Sequence, residues 1–174
     1  MKNHQITIQK LTTNNIGQLQ EIGKQTFVET FQASNSVENM NAYLEKSFSN
    51  KKLAKELANP YSEFYFALAN TTVVGYLKVN WGPSQTENTD ENGLEIERIY
   101  VLKEFHGKKV GQVLYEKAIE ISTQKEVDFV WLGVWEENQR AIRFYQKNGF
   151  EAFDKHVFQL GDDKQTDILM KRKI

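Results

Sequence analysis

The sequence contains no cysteine. This excludes disulfides, thiolate metal sites, iron–sulfur clusters and an acyl-cysteine intermediate together. It suits a reducing compartment, and the expected location is the cytoplasm. Proline is scarce: Pro60 and Pro83 are the only two in 174 residues and neither opens a linker, so a single domain over residues 1–174 is expected. An excess of one charge is also missing. Lys and Arg number 22 against 23 Asp and Glu, a formal net charge of −1, which offers no basic footprint for nucleic acid. No apolar run approaches the roughly 18 residues of a membrane span, and no apolar signal core follows Met1-Lys2-Asn3-His4-Gln5. Neither internal repeats nor low-complexity tracts occur. His4, His106 and His156 are scattered, so no metal site is expected. What is present is ordinary globular composition, 40% hydrophobic and 26% charged, in a chain long enough to bury a core without staples.

The hydrophobic period changes along the chain. Ile6 and Ile8 alternate with polar residues as a short strand. Thr13 offers an N-cap before Ile16, Leu19, Ile22, Gly23 and Phe27, spaced as one helix face. Ser36 predicts a cap for a second helix and Asn50 for a third, which Pro60 stops. Phe64–Leu68, the turn Asn70-Thr71 and Thr72–Trp81 predict a hairpin. A polar loop, 82–93, leads to a strand at Leu94–Leu102. Val110, Val113, Leu114, Ala118 and Ile121 then mark an amphipathic helix. Phe129–Trp135 is a continuous apolar run, short enough only for a buried strand. Asn138 predicts a cap for a short helix that Gly149 ends, and strands at Phe150–Phe158 and Gln165–Lys171 close the chain. About seven strands and four or five helices give an α/β or α+β order.

The segment after the Leu94 strand carries a chemical signal. Phe105-His106-Gly107-Lys108-Lys109-Val110-Gly111 leads into a helix, and successive backbone N–H groups at such a start, with glycines that admit an anion, suit phosphate. From spacing alone, a bare glycine turn with solvated lysines is the commoner reading. It is neither a Walker A loop nor a Rossmann fingerprint. The segment resembles the acetyl-CoA-binding motif of the GNAT superfamily of N-acetyltransferases, Gln/Arg-x-x-Gly-x-Gly/Ala. Gly111 matches, His106 stands in the Gln/Arg place and Lys109 in that of the first glycine. Downstream, Asn138, Ala141, Phe144, Tyr145, Gly149 and Phe150 match the other GNAT pattern, Asn-x-x-Ala-x-x-Phe-Tyr-x-x-x-Gly-Phe, behind a buried strand.

Thr26–Phe31, Asn35–Met40, Ala42-Tyr43-Leu44, Leu94–Tyr100, Trp131–Glu136 and Gln165-Thr166-Asp167 are similar to the PaiA family within that superfamily, so the likeness runs over nearly the whole chain. The resemblance implies a GNAT fold, a central mixed, mostly antiparallel sheet of about seven strands flanked by helices. It also implies acetyl-CoA as co-substrate and spermidine or spermine as acceptor, in direct transfer within a ternary complex. The coenzyme would meet Ile99, Tyr100, Val101, His106, Gly107, Lys108, Lys109, Val110, Gly111, Asn138 and Tyr145. Tyr145 would protonate the leaving thiolate.

An amine acceptor must lose a proton from a group of pKa about 10.4. Glu95 and Glu97 lie two apart on one strand and so share a face. Glu97, at the strand position that holds a carboxylate in related polyamine acetyltransferases, would serve as base through water, with Glu95 anchoring a second ammonium. Tyr43, Tyr76 and Trp81 are candidate acceptor-site aromatics, with core packing expected for at least one of them, and the loop acids Glu87, Asp90 and Glu91 are read chiefly as solvated. Two other readings remain: a GNAT acting on another small amine or on a protein amine, and a non-enzymatic acetyl-CoA-sensing regulatory protein. The expected partner is a small amine, with no nucleic acid or membrane; a homodimer is compatible with the sequence.

Overall fold

The computed structural model describes residues 4–87 and 92–174. In chain order they form β1 (Ile6–Lys10), α1 (Ile16–Phe31), α2 (Val37–Ser47), α3 (Asn50–Leu57), β2 (Ser62–Ala69), β3 (Thr72–Trp81), β4 (Gly93–Val101), α4 (Val110–Gln124), β5 (Phe129–Trp135), α5 (Gln139–Lys147), β6 (Glu151–Leu160) and β7 (Asp163–Lys173). The strands build one sheet in the order β1-β2-β3-β4-β5-β7-β6. All pairs are antiparallel except β4 with β5, whose connection runs through α4. This is the expected α/β architecture.

Local signals differ from the expectation by a residue or two. Thr12, not Thr13, caps the entry to α1, through a short 3-10 turn at Thr13–Asn15. Ser49, not Asn50, caps α3 by accepting the Lys52 N–H at 3.2 Å. In each case the residue one position earlier has the extended backbone that lets its hydroxyl turn back to a free N–H. Ser36 and Asn138 cap α2 and α5 as expected. The last hairpin is longer than the pattern indicated, with its turn at Gly161-Asp162. Of the acidic loop residues, Asp90 and Glu91 lie outside the described residues.

Each face of the sheet has its own core. Leu77, Val79, Leu94, Ile96, Val130, Leu132 and Val134 pack under Leu114, Ala118 and Ile121 of α4. Phe64, Phe66 and Tyr76 pack on the other face against Leu19, Ile22, Phe27, Met40 and Leu53 of α1–α3. Two irregularities in β4 decide what lies between them. First, Lys78 pairs with Arg98 but Val79 pairs with Ile96, so Glu97 is an extra, bulged residue. The side-chain alternation slips there. Leu94 and Ile96, then Ile99 and Val101, all face the α4 core, and Glu97 and Arg98 both turn toward α3. Second, β4 pairs with β5 only at Gly93–Phe129, Leu94–Val130 and Glu95–Trp131. A bulge bends and twists its strand, and beyond it the two strands diverge.

Leu114 is fully buried at the centre of α4 over β3 and β4. Leu114→Ala should cost about 2–5 kcal/mol through lost transfer energy and a residual cavity. Urea unfolding should report this as a lower midpoint at unchanged slope.

Candidate active site

The gap where β4 and β5 part is a cleft lined by Ile96, Glu97, Ile99 and Tyr100 of β4, Gly133–Trp135 of β5, Asn138, Ala141 and Tyr145 at α5, and Thr30 and Phe31 of α1. Five residues singled out from the sequence therefore meet here: Glu97, Ile99, Tyr100, Asn138 and Tyr145. Asn138 reaches the cleft while its Oδ1 caps α5 by accepting the Ala141 N–H at 3.2 Å.

Backbone donors line the β4 side. Leu102 N–H donates to Val74 on β3 at 2.9 Å. N–H and C=O groups alternate between the two edges of a strand, so Val101 and Ile99 turn theirs away from β3, into the gap. The Val101 carbonyl is met there by His106 Nε2 at 2.8 Å, which makes that nitrogen the protonated one. Burial pushes the His106 pKa down, the bond to Val101 opposes this, and Arg140 lowers it further. His106 thus pins the turn to the end of β4 as a neutral ring.

The turn then delivers more donors. In α4 the Val113 N–H is the first to find a carbonyl, that of Lys109 at 3.1 Å. The N–H groups of Val110, Gly111 and Gln112 have no intrahelical acceptor, and no side chain caps them. Lys109 holds the left-handed conformation, φ 64°, at the place where the related motif has glycine, a strain of roughly 1–2 kcal/mol. A Cβ at Gly107 would meet nothing within 4 Å, and one at Gly111 only Val101 Cγ2 at 4.0 Å. The mouth is open, lined by amides and flanked by exposed Lys108 and Lys109, a fit for a diphosphate at a helix start.

Tyr145 is buried, its ring held edge-on against Phe144 and Phe150 at 5.3 and 5.6 Å. Burial alone pushes its pKa up, so the phenol stays protonated. Its hydroxyl has no hydrogen-bond partner among the described residues, and the residue lines the cleft.

The carboxylates share a face, as their spacing predicts, and Asn80 links them. Its Nδ2 donates to Glu97 at 2.7 Å and Glu95 at 3.0 Å, while its Oδ1 accepts from Ser62 at 2.7 Å. Their surroundings are opposite. Glu97 accepts Lys78 Nζ at 2.5 Å and lies 3.5 Å from Arg98. Both cations also bind Glu56 of α3, each at 3.1 Å. Burial alone would raise the Glu97 pKa, but Arg98, Lys78 and Asn80 together bring it below the usual value. Glu95 is almost fully buried. Burial raises its pKa despite donors from Asn80 and from the N–H and hydroxyl of Thr86, and Glu97 adds to the rise.

The remaining expected residues are placed elsewhere. Tyr43 stacks on Phe27 at 4.4 Å, close enough to Arg98, Glu97 and Asp167 to feel their charges. Trp81 packs against the α4-side core under Lys125, 4.0 Å from its ring, and does not reach the cleft. Glu87 pairs with His156 at 2.7 Å. Glu56, Lys78, Asn80, Arg98, Trp135 and Asp167 were not foreseen. For Lys78 and Asn80 a signal exists, since polar residues interrupt the otherwise apolar strand Thr72–Trp81.

Residues 24–150 match the model of the Acetyltransferase (GNAT) family. An uncharacterised N-acetyltransferase of Lactobacillus delbrueckii subsp. lactis is 41% identical over 169 residues, 97% of this chain and 98% of that one. The spermidine N(1)-acetyltransferase of Thermoplasma acidophilum is 26% identical over 172 residues, 97% of each chain. The crystal structure of the PaiA N-acetyltransferase from Thermoplasma acidophilum in complex with coenzyme A superposes with a TM-score of 0.80, at 26% identity, over 98% of this chain and 99% of that one.

Because the folded-state pKa of Glu97 is depressed, its contribution to stability is complete above the unfolded carboxylate value, about 4.3. It is lost as pH falls through the folded value. Glu97→Gln should therefore lower stability at neutral pH, leaving Lys78 and Arg98 undercompensated, and flatten the loss of stability below about pH 5. Urea unfolding across that range checks both signs.

Proposed function

Given that the chain belongs to the acetyltransferase (GNAT) family, we propose that the acceptor in its acetyl-CoA-dependent N-acetylation is a primary amine of a polyamine such as spermidine. The observation that carries this reading is the cleft between β4 and β5, where backbone donors of the β4 edge meet the Glu97 carboxylate and the rings of Phe31 and Trp135. The similarity to a spermidine N(1)-acetyltransferase over nearly the full length of both chains supports it.

The N–H groups of Val110, Gly111 and Gln112 would hold the diphosphate, with the β4 edge at Ile99–Val101, Asn138 and Tyr145 along the rest of the coenzyme. Acetyl-CoA, when bound, supplies an activated thioester carbonyl. The Ile99 and Val101 N–H groups are fixed donors pointing into the gap, suited to a developing oxyanion. Tyr145, protonated and otherwise unpartnered, is placed to give a proton to a departing thiolate. Glu97 is held ionised. With its charge balanced by Lys78 and Arg98, it receives the acceptor's proton through water and passes it on to solvent; its low pKa makes it a relay rather than a store. Glu95, with both oxygens occupied, acts by holding Asn80 and the Thr86 loop in place. The −1 net charge gives no support to a nucleic-acid-binding regulator.

Thiol release from acetyl-CoA against di- and polyamines, monoamines, amino acids and a lysine peptide tests the assignment. Polyamines should have the highest kcat/KM; preference for a peptide or a monoamine overturns the acceptor class. Tyr145→Phe keeps the ring and its packing, and should lower kcat about 10²-fold with little change in KM for acetyl-CoA. Wild-type turnover in that variant would leave Tyr145 a packing residue.

A further inference from the structure

Charge accounting on the acceptor side of the cleft leaves one carboxylate over. Glu97 is balanced by Lys78 and Arg98, and Glu95 is occupied by donors from Asn80 and Thr86. Glu87 is paired with His156. Asp167 of β7 differs from all three: among the described residues its carboxylate makes no hydrogen bond and no ion pair. Only burial, which raises its pKa, and the charge of His156, which lowers it, act on it. A half-buried carboxylate without a partner carries a desolvation cost that a cation would relieve.

Its position connects it to the cleft. Asp167 sits opposite Trp135 across the β5–β7 pair, and Trp135 and Gly133 both line the cleft. Gly133 has no side chain to intervene: a Cβ there would lie 3.6 Å from Asp167 Oδ2. Trp135 is fixed by its indole N–H, which donates to Gln165 at 2.8 Å, and by Phe31, whose ring lies 5.1 Å away. The gap left by Gly133 is thus bordered by a fixed aromatic ring and a free carboxylate, the two groups that bind an organic ammonium. His156 stands opposite Asp167 on β6 and its charge acts on that carboxylate, but its ring pairs with Glu87.

We infer that Asp167, with Trp135, forms a subsite for a second ammonium of the acceptor, distinct from the amine that is acetylated beside Glu97. This rests on the amine-acceptor reading above and deepens it, since the acceptor would carry at least two cationic nitrogens on one flexible chain. It assigns to Asp167 the anchoring role expected from the sequence for Glu95, whose oxygens are occupied.

The test compares putrescine and spermidine with butylamine, which has one nitrogen, in the wild type and in Asp167→Asn, a change that keeps shape and removes charge. The ratio of kcat/KM for putrescine to that for butylamine should fall about tenfold in the variant, through KM for the diamine, with KM for acetyl-CoA unchanged. An unchanged ratio, or an equal loss for both amines, overturns the subsite while leaving the acetyltransferase assignment intact. If the wild type turns over none of these amines although acetyl-CoA raises its melting temperature, the polyamine reading fails. Calorimetric titration of spermidine into the coenzyme A-bound protein then decides the subsite. Weaker binding by Asp167→Asn supports it; equal binding, or none to the wild type, overturns it. Asp167→Glu serves as a second variant that keeps the charge, and it should retain more of the diamine preference than Asp167→Asn.

Discussion

One extra residue in β4 sets the geometry of the candidate site. The bulge at Glu97 shifts the alternation of side chains, so that Glu97 and Arg98 both face α3. It lies just beyond the point where β4 leaves β5. The same distortion turns a carboxylate into the cleft and accompanies the opening of the sheet. A regular strand would continue the ladder with β5 and satisfy the N–H groups of Ile99 and Val101 there. The parting of the strands keeps those donors available at a strand edge, inside the protein rather than at its surface.

The bulge is stabilised from the helical layer. Glu56 of α3 binds Lys78 and Arg98, and both bind Glu97. The four charges cancel, and each is largely shielded from water. Removing one member of such a group leaves its partners uncompensated, which is costly in a partly buried setting. The group therefore resists rearrangement more than it adds stability. It keeps Glu97 ionised and fixed in direction while balancing its charge. Asp167 of β7 differs from Glu97, since no ion pair balances its carboxylate among the described residues.

The candidate phosphate-binding turn depends on backbone rather than side chains. The amides at the start of α4 are held in place by His106, which ties the turn to the Val101 carbonyl, and by Lys109 in the left-handed conformation. Departures from the related motif at these two positions are compatible with the site because its donors are N–H groups. A side chain there matters only if it blocks the mouth, and at Gly107 and Gly111 nothing does.

Much of the fold was legible in the residue pattern, because periodicity records which face of an element is buried. The order of strands and helices, the limits of β5, the caps at Ser36 and Asn138 and the stop at Gly149 follow from local spacing and backbone chemistry. The Asn138–Phe150 pattern placed Tyr145 on a packed helix, and the glycine turn placed free amides at a helix start. The sharing of a face by Glu95 and Glu97 could also be read, since it needs only the two-residue period of a strand. What could not be read was the state of those carboxylates. Lys78 lies 19 positions before Glu97 and Glu56 lies 41 before it; only strand pairing and helix docking bring the three together. Trp81 looked like an acceptor-site aromatic, but its position on the α4 face depends on the register of β3. Asp167 and Trp135 face each other only because β7 inserts between β5 and β6. Local spacing determined the elements and the donors each one carries, whereas long-range pairing decided which charges meet, and with them which carboxylate is left without a partner.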